Sequence, residues 1–191
     1  VMGNKSLFME PDNFSTVQYM NEKSQINLLK FKEVFLRKLY KLNRNNVYLN
    51  IGTGGGHLEY VNRLMGDKIH ITTVEWEKQY ECFSKIRETL EIKVDYLCNN
   101  VLEKGFEINE CKTRYDFMIL ERFFPIYGTM DKERIEFVLR QLAPYANKAL
   151  IVDSESNWSK KQREYLDSIV NSRFHLADDW KCRSIRLDQF R

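Results

Sequence analysis

At 191 residues, 43% hydrophobic and 13% aromatic, the chain has enough apolar material for one sizeable core, and its length favours a single domain. Its 30 basic and 27 acidic residues are spread without blocks, so the net charge of +3 gives nucleic acid weak support and an acidic tail none. No apolar run approaches the roughly 20 residues that span a bilayer, so no membrane insertion is expected.

Residues 24–42, "SQINLLKFKEVFLRKLYKL", put Ile26, Leu29, Val34, Leu36 and Leu39 on or near one stripe, which predicts an amphipathic helix ended by Asn43 to Asn46. "VYLNI" reads as a strand and "HLEYVNRLM" as a helix stopped near Gly66. "KIHITTVEW" is a second strand, followed by the helix "KQYECFSKIRETL". Further strands are expected at "VDYLCN", "YDFMIL" and "KALIVD", with the helix "DKERIEFVLRQLAPYA" between the last two. After the helix "KKQREYLDSIVNS", "FHLADD" and "CRSIRLDQF" form two short strand candidates that can pair as a hairpin. Strand and helix alternating in units of about thirty residues predict an α/β fold: a doubly wound, mostly parallel sheet with helices on both faces. Cys82, Cys98, Cys111 and Cys182 include no Cys-x-x-Cys pair, and no secretory signal is evident, so reduced thiols in a cytoplasmic protein are expected.

"GTGGG", residues 52–56, sits at the first strand-to-helix turn, where an open sheet presents backbone N–H groups and a helix N-terminus to a ligand. Four glycines in five positions exceed what a tight turn requires. Gly52 can take a conformation closed to residues with a Cβ, and Gly54 and Gly56 leave room for a ligand against bare backbone. Glu75 ends the second strand nineteen residues beyond Gly56, the position from which a carboxylate accepts hydrogen bonds from both hydroxyls of a ribose. Trp76 follows and can either cover an adenine face or pack in the core. A nicotinamide or flavin dinucleotide fold shares this logic, but its G-x-G-x-x-G/A fingerprint places His57 where a small residue is needed.

"LNIGTGGG", then "TTVEW", "LCNNVLE" and "YDFMILE", resemble in order the motifs of the class I S-adenosylmethionine-dependent methyltransferases over roughly residues 40–190. The resemblance implies a Rossmann-like, seven-stranded sheet with a C-terminal antiparallel hairpin. It further implies a helical preface or lid over residues 1–45 and a cofactor-binding core over 46–191. By it, Gly52, Thr53, Gly54 and Gly56 line the methionine end of S-adenosylmethionine, Glu75 holds the ribose diol, and Asn100 with Val101 meets the adenine. Asn99 is the alternative adenine contact, since the register of this loop is open by one residue. Asn50 stands where the family usually has an acid for the cofactor's ammonium group, and it reads equally as a plain strand residue.

Glu121 closes the fourth strand, where the resemblance places a group facing cofactor and acceptor, able to orient an amine or accept a proton. The competing reading pairs it with Arg122. Phe123 and Phe124 form either an aromatic wall or core. Asp153 and Glu155 add carboxylates at the end of the fifth strand, but Ser154 replaces the asparagine of the metal-using relatives, so no metal is expected. The expected activity is methyl transfer to a small-molecule nitrogen or oxygen nucleophile, with nucleic acid disfavoured as a partner and a homodimer possible. Tyr19, in the aromatic segment "SLFMEPDNFSTVQYMNEK", is the lid residue expected to touch the acceptor. Two alternatives stand beside this reading: an aminopropyl or aminocarboxypropyl transferase of the same fold, and a non-catalytic binding subunit.

Overall fold

The structure, a computed structural model, describes residues 22–52, 56–75, 77–101, 106–108, 114–126, 131–177 and 179–191. The segment before residue 22, and with it Tyr19 and the expected lid, lies outside the described residues, as do Thr53, Gly54 and Trp76.

The strands are β1 (Val47–Ile51), β2 (His70–Glu75), β3 (Asp95–Cys98), β4 (Tyr115–Glu121), β5 (Ala146–Ser154), β6 (Ser172–Ala177) and β7 (Trp180–Arg186). They form one mixed sheet in the order β3-β2-β1-β4-β5-β7-β6. The pairs β1 with β4, β2 with β3, and β4 with β5 are parallel. β7 runs antiparallel between β5 and β6. Winding outward from β1 to β3 and returning to β4 beside β1 creates a switch point at the β1–β4 pair, where open α/β sheets bind ligands beyond the carboxyl ends of their strands. The expected doubly wound, mostly parallel sheet with a terminal hairpin is the observed one.

By packing, the described residues fall into two compact units. The first takes the described residues of 22–47 and 56–98. Helix α1 (Glu22–Leu42) packs there against α2 (His57–Leu64). Leu29, Phe35, Leu36 and Leu39 are the buried face of α1, whereas Val34 is 41% exposed. Val34 is therefore off the stripe that the sequence predicts; it precedes Phe35, and the bulkier ring takes the core position. Asn43 closes the helix by donating from Nδ2 to the Val47 carbonyl (3.1 Å) and accepting from the Asn45 N–H (3.1 Å). α3 (Glu77–Thr89) carries the buried Phe83 and Ile86.

The second unit takes residues 48–52 and the described residues of 99–191. α4 (Lys132–Leu142) starts at Asp131, whose carboxylate accepts from the Arg134 N–H. It stops short of the predicted Ala146: Ala143 is still right-handed, but Pro144 after it has no N–H to continue the ladder. α5 (Lys160–Ile169) begins with a capping box between Ser159 and Gln162. β7 brings Arg183 into the interior, 1% exposed, between Glu155 (2.8 Å) and Asp167 (3.1 Å). Such a guanidinium persists in the core because two carboxylates offset its lost hydration.

Candidate functional site

In the first unit, Gly56 precedes α2 with φ of 76°. A Cβ on it would lie 2.0 Å from Cε2 of Phe83, so this position demands glycine for both its backbone and its packing. The Phe83 ring is fixed in turn: it meets Tyr96 edge-on at 4.6 Å, and Tyr96 stacks on Tyr80 at 4.6 Å. Glu75 ends β2 opposite Cys98 and is 3% exposed. Two residues back on the same strand, Thr73 donates from Oγ1 to Oε1 of Glu59 at 2.8 Å, and Thr73 is also the register partner of Tyr96. Burial raises the Tyr96 phenol pKa above its usual range, and the negative charges of Glu75 and Glu59 raise it further. The structure thus gathers a buried acid and hydroxyl cluster around Glu75 that the sequence analysis missed. Glu59 in the first turn of a helix reads as a solvated acid; only the burial of His57 through Asn62 reveals that this helix is enclosed.

In the second unit, Asn50 is 2% exposed on β1 and pairs with Ile119 of β4, two residues before Glu121. Gly52 follows β1 with φ of 74°, and a Cβ there would come within 3.3 Å of Phe123. The β1–β4 switch point therefore brings together Asn50, Gly52, Glu121 and Phe123. Glu121 is half-buried. Arg122 after it is left-handed (φ 52°), its N–H bonded to the Val152 carbonyl at 2.8 Å and its guanidinium 6.0 Å over the Trp180 ring. Phe123 and Phe124, 3% and 1% exposed, belong to the core, with Phe124 against Trp158 at 5.9 Å.

After β3, Asn99 uses its amide within its own loop, donating to the Glu107 carbonyl and accepting from the Asn100 N–H. Asn100 is half-buried and Val101 buried.

At the end of β5, Asp153 is 2% exposed; Oδ1 accepts from the Ser154 N–H and from Asn157 Nδ2, both at 2.8 Å. Oδ2 is buried without a hydrogen-bond partner, as is Nε1 of Trp158. Burial raises the Asp153 pKa above the usual carboxylate range, against the pull of those hydrogen bonds and of Arg122 and Arg183. Glu155 is committed to Arg183. Among the described residues no group of three or more His, Cys, Asp or Glu side chains is arranged to hold a metal ion.

Glu75 ends β2, Asn100 follows β3 and Glu121 ends β4, each at the carboxyl end of its own strand. Carboxylate and amide oxygens are the acceptors that ribose hydroxyls and an exocyclic amine require.

No protein-family model and no curated protein matches the sequence. Solved structures do match the fold. RosA of Streptomyces davawensis, an N,N-8-amino-8-demethyl-D-riboflavin dimethyltransferase, superposes with a TM-score of 0.64 at 11% identity, over 95% of this chain and 61% of RosA. PigF, solved with SAH, gives 0.59 at 14% identity, over 96% of this chain and 64% of PigF. A protein from Pyrococcus horikoshii OT3 gives 0.64 at 11% identity, over 95% of this chain and 98% of its own length. The chain thus spans less than two thirds of RosA and of PigF. No helix among the described residues is long and apolar enough to cross a membrane. Strand order and these superpositions together give the chain the Rossmann-like fold of the class I methyltransferases.

Proposed function

We propose that the chain binds S-adenosylmethionine and transfers its methyl group to a small-molecule nitrogen or oxygen nucleophile. The observation that carries this reading is the β1–β4 switch point, which puts Gly52 and Glu121 at the carboxyl ends of adjacent parallel strands. The methyltransferase identity of the superposed RosA supports it. Glu75 accepts from the ribose hydroxyls, Asn100 with Val101 meets the adenine, and Asn50 with the glycine turn borders the methionine end. Thr53, Gly54, Trp76 and Tyr19 complete the proposed set.

When bound, the cofactor supplies an electrophilic methyl carbon already activated by its sulfonium. The protein's work is to align the acceptor in line with that carbon, exclude water and, for a poor nucleophile, take up a proton. Glu121 orients the acceptor and receives that proton.

Calorimetry with S-adenosylmethionine and S-adenosylhomocysteine tests the reading. Both are expected to bind, and Glu75→Ala to weaken each by about 10- to 100-fold, the loss of one or two hydrogen bonds to a charged acceptor. Binding of neither by the unaltered chain overturns it. An acceptor screen read by the mass of one added methyl group then identifies the substrate. On that substrate Glu121→Gln is expected to keep cofactor affinity and lower kcat by roughly 100-fold, the usual scale of general-base assistance. Equal turnover removes Glu121 from the chemistry.

A further inference from the structure

A cleft of about 120 Å³ lies within the first unit, between α1 and the end of α2. Its floor is apolar: Leu36 and Ile69 are 3% and 4% exposed, and Met65 lies beside them. Tyr40, 51% exposed, adds an aromatic lip. The remaining wall is Asn62, whose amide donates to the Ile69 carbonyl (2.9 Å) and accepts from the Ile69 N–H (3.3 Å), so both ends of that amide are already engaged with protein.

Around this floor stand Arg37, Lys41 and Lys68, and among the described residues no carboxylate lines the cleft. Arg37 is held by Glu33 at 2.7 Å. Lys68 lies 5.7 Å over the Tyr40 ring, and among the described residues no acid pairs with it or with Lys41. Two ammonium groups beside a water-exposed aromatic ring and a sunken aliphatic floor match a ligand that is anionic at one end and apolar at the other. A bare inorganic anion leaves the floor wet, and a neutral ring leaves the ammonium groups unanswered.

Ile69 directly precedes β2, and Glu75 is its last residue, so the cleft and Glu75 are at opposite ends of that strand. At about 3.3 Å per residue the separation is roughly 20 Å. The cleft is therefore independent of the proposed cofactor contacts of this unit.

We propose that this cleft binds a small aromatic carboxylate, its ring on Leu36, Met65 and Ile69 and its carboxylate between Lys41 and Lys68. The test is an NMR titration of the whole chain with phenylacetate, following the Met65 methyl and the Asn62 side-chain amide. Saturable shifts of both are expected, with a Kd on the order of 1 mM for so small a ligand. Phenylacetamide, nearly the same shape without the charge, and inorganic phosphate, charge without the ring, are each expected to bind at least tenfold more weakly. Lys41→Gln with Lys68→Gln, both at exposed positions, is expected to weaken phenylacetate about tenfold and to blunt the effect of added salt. Equal affinity for phenylacetamide or for phosphate, shifts confined to other residues, or no saturable shift overturns the proposal. Neither outcome bears on cofactor binding, which calorimetry reads separately.

Discussion

Asp153 is buried at the end of β5 with one carboxylate oxygen bonded twice and the other unpartnered. Its pKa is raised in the folded chain, first by desolvation, so above the ordinary carboxylate range the folded state binds more protons than the unfolded state. Stability from this group is therefore present at acid pH and declines as pH rises through the folded pKa. Asp153→Asn removes the titration. Urea midpoints taken between about pH 4 and pH 7.5 are expected to show the unaltered chain losing stability relative to the variant as pH rises, and parallel curves refute the assignment. The burial of Asp153 was not legible in the sequence. An acid ending an apolar strand looks alike whether water or protein covers it, and the groups that face this one, Asn157, Arg122 and Arg183, come from separate stretches of the chain.

At the scale of elements, the glycine turn and α2 show a glycine that packing requires as well as backbone. The sequence suggests that Gly56 is bare to admit a ligand. The structure gives it another necessity, since Phe83 from α3 occupies the place of its Cβ. Gly56→Ala is expected to cost about 2–4 kcal/mol, combining overpacking against a ring locked by Tyr96 with a left-handed backbone. Gly66→Ala is the internal comparison: it shares a positive φ of 89° but has nothing within 4 Å of its Cβ, so about 1–2 kcal/mol is expected. Equal shifts of the two urea midpoints contradict the packing account. Helix α1 gives the converse lesson. Its helicity and most of its inner face were legible from the periodicity, but the choice between Val34 and Phe35 was not, because neighbouring apolar residues differ by about 100° around the axis and only the partner helix decides.

Across the whole molecule, the doubly wound, mostly parallel sheet follows closely from the sequence, although the strand order itself is a finding of the structure. Alternating strands and helices with short connections leave few topologies, and the right-handed crossover rule removes most of the rest. The terminal hairpin was also legible, since "FHLADD" and "CRSIRLDQF" are two strand candidates close enough to pair, although Leu187–Phe190 forms a short helical turn instead of strand. The candidate site was legible in outline only. Glu75, Asn100 and Glu121 stand at strand ends as the motifs require, but Glu59, Thr73 and Tyr96 enter through burial and register, which no local pattern encodes.

Arg122 carries a final practical consequence. Its guanidinium rests over the indole of Trp180, a half-buried ring, directly after Glu121. Indole emission responds to a cation at its face, so any event that moves the end of β4 writes itself into the intrinsic fluorescence. Trp158, 5% exposed against Phe124, supplies a shielded background. The chain thus carries an unlabelled optical probe stacked beneath the residue that follows its proposed proton acceptor.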